Sequence, residues 1–498
     1  MGLLGILLGL GLLVWLAYRG WSVLLLAPAA ALVAAAFAGE PLLAHWTQTF
    51  MGGAARFVAQ FFPLFLLGSL FGKLMNDSGS VLAIARSMTA WLGGRRAVLA
   101  VVLAGASVTY GGVSLFVAFF VLAPMAHALF RAADVPRRLM PAAIALGAST
   151  FTMSALPGTP AIQNAIPMPF FGTTPWAAPG IGSVAAAIML AFGLWWLRLR
   201  EAGARRAGEG YGRSPGPPSA ADTDAAGAGA ASADAAADDP LVRERATAAR
   251  EFDPAEAHRG RHADGPPPFA VAAAPLAVVV AVNLAATLLV LPRLDAGFLS
   301  EERWGATTLD AVGGVWSVAV ALAAAVAALV LLNRRRLPDL RGSVDAGANA
   351  SVLPMLSVAS LVGFGAVVAS LPAFAAVRDW VLGLGGGPLV SLAVATNALA
   401  ALTGSASGGL TIALEALGGT YLRLAAERGI DPALLHRIAV IGSGTLDGLP
   451  HNGAVVTLLA VCGCTHRESY LDVAMVGIVG ALVALGVVIA LGGLVGSF

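Results

Sequence analysis

Long apolar runs, separated by short gaps rich in Gly, Pro or Arg, follow one another along most of the chain. A hydrocarbon core of ~30 Å takes about 20 helical residues, and runs near that length recur throughout. The pattern predicts helices over 2–18, 21–38, 56–75, a short amphipathic 79–91, 96–109, 112–131 and 179–198. An interrupted apolar segment lies at 139–169. A second set reads 269–292, 309–333, 349–371, a short 374–384, 388–403, 408–427 and 472–496, with an interrupted segment at 434–463. The expected fold class is all-α, a polytopic membrane protein.

The two sets match in order, which predicts a duplicated chain. "PLFLLGSLFG" (63–72) aligns with "PMLSVASLVG" (354–363), "YGGVSLFVA" (110–118) with "SGGLTIALE" (407–415), and "TMSALPGTP" (152–160) with "TLDGLPHNG" (445–453). The offsets are 291, 297 and 293. The expected organisation is a first membrane half over 1–197, a hydrophilic segment over 198–267 and a second half over 268–498.

The middle segment changes the picture of charge. It holds ten Arg and twelve Asp or Glu, in a chain that is 58% hydrophobic and 12% charged. Such a stretch buries too little apolar area to offset its ordering entropy, so a disordered cytoplasmic loop is expected. Arginines flank cytoplasmic helix ends. Arg19, the group Lys73 to Arg96, Arg198 to Arg206 and Arg334 to Arg341 fall on one side if 96–131 acts as one broken crossing. Arg131, Arg137 and Arg138 then fall on the wrong side. The scheme makes the two repeats inverted. The net charge of +2 gives no basis for a nucleic-acid partner.

The interrupted segments carry the candidate chemistry. Each has two short apolar pieces around a Gly/Pro/Thr/Asn-rich middle, which predicts a re-entrant or broken-helix hairpin. Irregular backbone at membrane depth must be buried in protein or line a wet cavity. Half-helix N-termini offer free N–H groups to an anion, and matched interruptions in inverted halves point to a binding site at mid-membrane. Asp447 sits at the second interruption, where a charge costs at least ~2.5–3.5 kcal/mol. Desolvation penalises the charged carboxylate, so Asp447 is the candidate coupling-proton carrier. The competing reading is a carboxylate that caps the next half-helix. His451 and Asn452 follow on the same turn.

In the first half the equivalent of Asp447 is Ser154. Thr150, Thr152, Ser154, Thr159, Gln163 and Asn164 offer neutral donors there, and Thr403, Ser405, Ser407 and Thr445 do so in the second half. Small hydroxylated residues serve helix packing equally well. Substrate-binding candidates are Thr152, Ser154, Thr159, Asn164, Ser405, Ser407, Thr445, His451 and Asn452. Lys73, Asn76 and Asp77 read as an interfacial helix end and the N-cap of 79–91. Cys462 and Cys464 read as packing residues, since C-x-C with His466 does not complete a zinc set. "GSLFGKL" (68–74) is not a phosphate loop: it is one residue short and lacks the Ser/Thr. No metal, cofactor or nucleotide engine is expected.

Four stretches together resemble the gluconate permease family of proton-coupled carboxylate symporters, within the ion transporter superfamily: "GKLMNDSG" (72–79), "TYGGVSLFVAFFVLAP" (109–124), "LGASTFTMSALPGTPAIQNAIP" (146–167) and "TLDGLPHNGAVVTLL" (445–459). The resemblance implies a bacterial inner-membrane protein, inverted repeats with re-entrant hairpins and an elevator-like transport domain. It departs from gluconate-type members at Gly111-Gly112, where they carry an acid, and at "LPGTPA" (156–161), where their proline run is denser. The hairpin text is closer to the D-3-hydroxybutyrate branch. The expected partners are a small carboxylate, H⁺ or Na⁺, the lipid bilayer and a second copy in a homodimer. A cation/proton antiporter, with Asp447 and then Glu415 as its acids, and a membrane-embedded enzyme or receptor are the competing classes.

Overall fold

The computed structural model describes residues 1–19, 21–93, 96–212, 259–383, 385–450 and 452–498. These residues form helices and connecting turns, with no β-strand among them. Most of the polar segment over 198–267 lies outside the described residues; 198–206 continue a membrane helix. Six described helices are long and apolar enough to cross a bilayer. Large side chains such as Leu43, Leu331 and Leu494 stand exposed on the outer faces, as a lipid solvent requires.

In chain order the helices are α1 (Gly2–Tyr18), α2 (Val23–Ala38), α3 (Leu42–Asp77), α4 (Ser80–Leu92), α5 (Ala97–Tyr110), α6 (Leu115–Ala132), α7 (Met140–Ala148) and α8 (Pro179–Arg206). The second half has α9 (Phe269–Arg293), α10 (Leu309–Leu332), α11 (Leu340–Ser370), α12 (Phe374–Leu382), α13 (Gly387–Thr403), α14 (Ala406–Arg428), α15 (Pro432–Thr445), α16 (Gly453–Val461) and α17 (His466–Val495). The long helices α3, α11 and α17 start earlier than the apolar pattern placed them, because polar first turns such as "LRGSVD" of α11 remain helical.

Matched helices pack against each other and run antiparallel. Along α3 and α11, Gly53 meets Ala366, Leu70 and Lys73 meet Gly347, and Asp77 meets Ser343. Small residues set this approach: a Cβ added at Gly363 would lie 2.8 Å from the Phe50 carbonyl oxygen. Along α8 and α17, Gly180 meets Phe498, Phe192 meets Gly480 and Arg200 meets Asp472. Helix α2, paired with α1, lies on α11, and α10, paired with α9, lies on α3, while α9 packs on α4.

The bundle has a linker end, where residues 198–212 and 259–268 lie, and a far end. Both termini of α5–α6 are at the linker end. Arg96 shares a cleft with Arg198 and Glu201, and Asp134 Oδ1 accepts from the Tyr211 N–H at 3.0 Å. The segment therefore turns back at Gly111–Ser114 and does not cross, which corrects the expectation for 96–131. Arg131 and Arg138 now lie with the other linker-end arginines. Arg138 holds Glu209 with two hydrogen bonds, of 2.6 and 2.9 Å, and also reaches Asp472, which takes Arg200 and Trp196. At the far end α13–α14 turns back in the same way, with Gly387 beside Arg428.

The interrupted segments behave differently. The first starts beside Arg138 and ends with Gly172 against Asp310, in the first turn of α10 at the far end. The second starts at Asp431, which accepts from Ser497, and ends at Cys464, whose thiol lies 3.8 Å from the Arg137 carbonyl oxygen at the linker end. Each traverses the bundle with a break in the middle. Of the two forms expected over 139–169 and 434–463, a re-entrant hairpin or a broken helix, the broken helix is the one seen, and the turn-backs lie in α5–α6 and α13–α14.

Two further expectations change. Ser114 is the N-cap of α6 and Ser405 the N-cap of α14, an offset of 291, so the Gly-Gly alignment at 297 is six residues out of register. Lys73 and Asp77 are not an interfacial helix end. They form a fully buried pair at 3.0 Å, with Ser343 Oγ donating to Asp77 Oδ2 at 2.6 Å. The N-cap of α4 is Gly79 and not Asp77.

Candidate functional site

The two breaks arise from local chemistry. After α7, Ser149 and Thr150 turn the chain, and Thr150 has the irregular angles φ −110 and ψ −105. Pro157, Gly158 and Pro160 keep it unwound. Gly158 has φ +77, and a Cβ there would lie 2.4 Å from the Trp176 ring, so glycine is required. In the second break the helix tightens to a 3-10 turn over Leu446–Gly448, and Pro450 follows. Asn452 then starts α16, its Oδ1 accepting from the Ala454 N–H at 2.8 Å.

The breaks face each other. A Cβ added at Gly444 would lie 3.0 Å from the Ser154 Cβ. A cavity opens here between Ser149 and Thr150 of the first break and Gly444, Asp447 and Gly448 of the second, with Phe119 of α6 on one wall. Asp447 is half-buried. Its Oδ1 accepts from the Ala406 N–H at 2.9 Å and from Asn452 Nδ2 at 2.5 Å. The carboxylate thus sits on the N-terminus of α14, where the helix dipole favours an anion. It caps a different helix from the one expected from sequence; Asn452 caps that one. Asn452 also donates to the Gly404 carbonyl at 2.8 Å, so the second break is tied to the turn of α13–α14.

The other sequence candidates divide by location. Thr152 and Thr445 are fully buried and donate to carbonyl oxygens in their own segments. Thr152 also accepts from Thr109, which joins the first break to the α5–α6 turn. Ser154 donates to Thr150 O. Ser405 caps the Gly408 N–H and pairs with Ser407 at 3.3 Å. Thr159 and Asn164 belong to a separate cluster, with Asn164 Nδ2 donating to Thr159 O and Pro175 O. His451 lies outside the described residues. Cys462 and Cys464 are buried free thiols.

Sequence reasoning missed that cluster's centre. His436 Nε2 and Arg437 Nη1 both lie 3.2 Å from Asn164 Oδ1, and Arg437 also donates to Ala177 O and Pro175 O. Arg437 is fully buried, and no carboxylate lies within ion-pair distance of it among the described residues. An arginine within the apolar run "HRIAVIGS" was the available signal, since such a charge is costly in lipid. The cluster fastens α15 to the far-end part of the first broken segment.

A second cavity lies at the α5–α6 turn, lined by Thr109, Gly112 and Ser114, by Met153 and Pro160 of the first break, and by α3 and α10.

Two comparisons bear on what this arrangement does. A family model described as GntP family permease matches residues 1–168. A protein of Bacillus subtilis (strain 168) named "Uncharacterized transporter YxjC" is 39% identical over 509 residues, spanning 99% of this chain and 100% of that protein.

Proposed function

The chain belongs to the GntP permease family and is a multi-pass membrane transporter of bacteria, and on that footing we propose that it is a secondary carrier bringing in a small carboxylate together with a proton. The substrate class is a short-chain acid of the 3-hydroxybutyrate kind, ahead of a sugar acid such as gluconate. The halves over 1–197 and 268–498 act as inverted repeats joined by a cytoplasmic segment, 198–267. The antiparallel packing of α3 on α11 and of α8 on α17 supports this reading. In it, α5–α6 and α13–α14 are re-entrant elements, one entering from each side, and the broken segments span.

The observation that carries the reading is Asp447 in the cavity between the two breaks. Its Oδ1 holds the turn of α13–α14 through Ala406 and holds its own segment through Asn452. A proton on the carboxyl removes its negative charge, and hydrogen bonds from N–H groups to a neutral acceptor are about half as strong as those to a charged one. Proton binding and loosening of the turn therefore go together, as a coupled carrier requires.

The test is uptake of labelled 3-hydroxybutyrate into proteoliposomes under an imposed pH gradient. Wild type accumulates it, and Asp447→Asn exchanges it in counterflow but no longer accumulates it. Gradient-driven accumulation by Asp447→Asn would remove Asp447 from coupling.

A further inference from the structure

The two halves treat their inner helix N-termini differently. In the second half the N-terminus of α14 receives a protein carboxylate, Asp447, on the Ala406 N–H. Its N-cap, Ser405, bonds the Gly408 N–H at 3.1 Å. In the first half the corresponding end is that of α6, an 18-residue helix. Its N-cap, Ser114, makes no side-chain capping bond. The hydroxyl is buried, with the residue 5% exposed, and has no hydrogen-bond partner. The first break, residues 149–161, contains no Asp or Glu to match Asp447.

This end opens on the second cavity. Ser114, Thr109 and Ser69 supply its hydroxyls, and Leu64, Phe65, Met153 and Leu322 are among its apolar lining. First-turn N–H groups have no partners within their helix, and with the dipole they make an anion site. A buried hydroxyl without a partner is costly unless a ligand completes it.

Resting on the carrier function above, we infer that this cavity is the carboxylate subsite. The substrate's carboxylate lies on the N-terminus of α6, accepts a hydrogen bond from Ser114 Oγ, and stands where Asp447 stands in the other half. Its short tail lies on the apolar wall. Beyond Ser114 and Thr109 the lining carries one hydroxyl, Ser69 of α3, too few donors for a chain of hydroxyls, so the site takes a short-chain monocarboxylate in preference to a sugar acid.

The experiment measures initial uptake of labelled 3-hydroxybutyrate and gluconate by full-length carrier in proteoliposomes, normalised to monodisperse protein. Ser114→Ala raises the KM for 3-hydroxybutyrate at least tenfold with Vmax within twofold, and Ser114→Thr restores it. Met153→Glu, which places an acid in the cavity, reduces uptake at least tenfold more than the isosteric Met153→Gln. Gluconate shows a KM at least tenfold above that of 3-hydroxybutyrate. An unchanged KM in Ser114→Ala, or equal uptake by the Glu and Gln variants, overturns the subsite. If Ser114→Ala does not insert, the Met153 pair alone decides between these outcomes. A lower KM for gluconate overturns the preference. Wild type that moves neither acid overturns the carrier reading itself, a result distinct from the others.

Discussion

Replacing Lys73 by Met isolates the energetics of the buried pair. Lys73 Nζ and Asp77 Oδ1 are 3.0 Å apart, and both side chains are at most 1% exposed. At an effective dielectric near 20, charges at that distance attract by about 5.5 kcal/mol, most of which offsets their desolvation. The methionine leaves Asp77 with the Ser343 hydroxyl and with His262, which is half-exposed and 3.5 Å away. Neither replaces an ammonium. Breaking one partner of a buried pair costs about 3–5 kcal/mol, so Lys73→Met and Asp77→Asn each lower the thermal midpoint of the purified protein sharply. The double variant Lys73→Met/Asp77→Asn removes both charges and recovers most of the loss. The assay is the temperature at which detergent-solubilised protein loses its monodisperse peak, read for wild type, both single variants and the double. Additive losses in the double variant, or single variants as stable as wild type, would refute the claim that the two charges sustain each other.

Gly363→Val forces a side chain against Phe50, where even a Cβ lies 2.8 Å from a backbone oxygen. Overpacking of this kind costs about 1–3 kcal/mol, and the same peak-retention assay shows an earlier midpoint. Arg437→Lys keeps the charge but cannot donate at once to Asn164, Pro175 and Ala177. It lowers the yield of folded protein nearly as much as Arg437→Met does; full recovery by lysine would show that charge alone matters at that position.

Much of the plan was legible because it is local. Span-length apolar runs, the polar segment 198–267 and the breaks at "ALPGTPA" and "GLPHNG" all follow from composition within one window. The direction of travel was not, because it depends on which ends meet. Gly111-Gly112 and Gly408-Gly409 look equivalent as text, yet the turns of the two elements fall at Gly111–Ser114 and Gly404–Ser405. The match slips by six residues. Arg138 looks misplaced in the sequence until Glu209 and Asp472 stand beside it, and Asp472 lies 334 positions away. The apolar pattern places Asp447 at a break, where it is, but its partner Ala406 is 41 residues earlier, beyond any local capping rule. Lys73 reads as an interfacial residue because its counter-charge, one turn on, gives no sign of burial.

The reach of Asp77 sets an order of assembly. Its hydroxyl partner, Ser343, is 266 residues later in the chain, and the face of α3 that receives α10 and α11 stays uncovered until both have been translated. During synthesis the amino-terminal part must wait in the bilayer with an incomplete polar cluster and an open groove. A chain stopped anywhere before Ser343 therefore leaves this groove open and Asp77 without its hydroxyl partner, and two polypeptides cut within 213–258 should find each other only when made together.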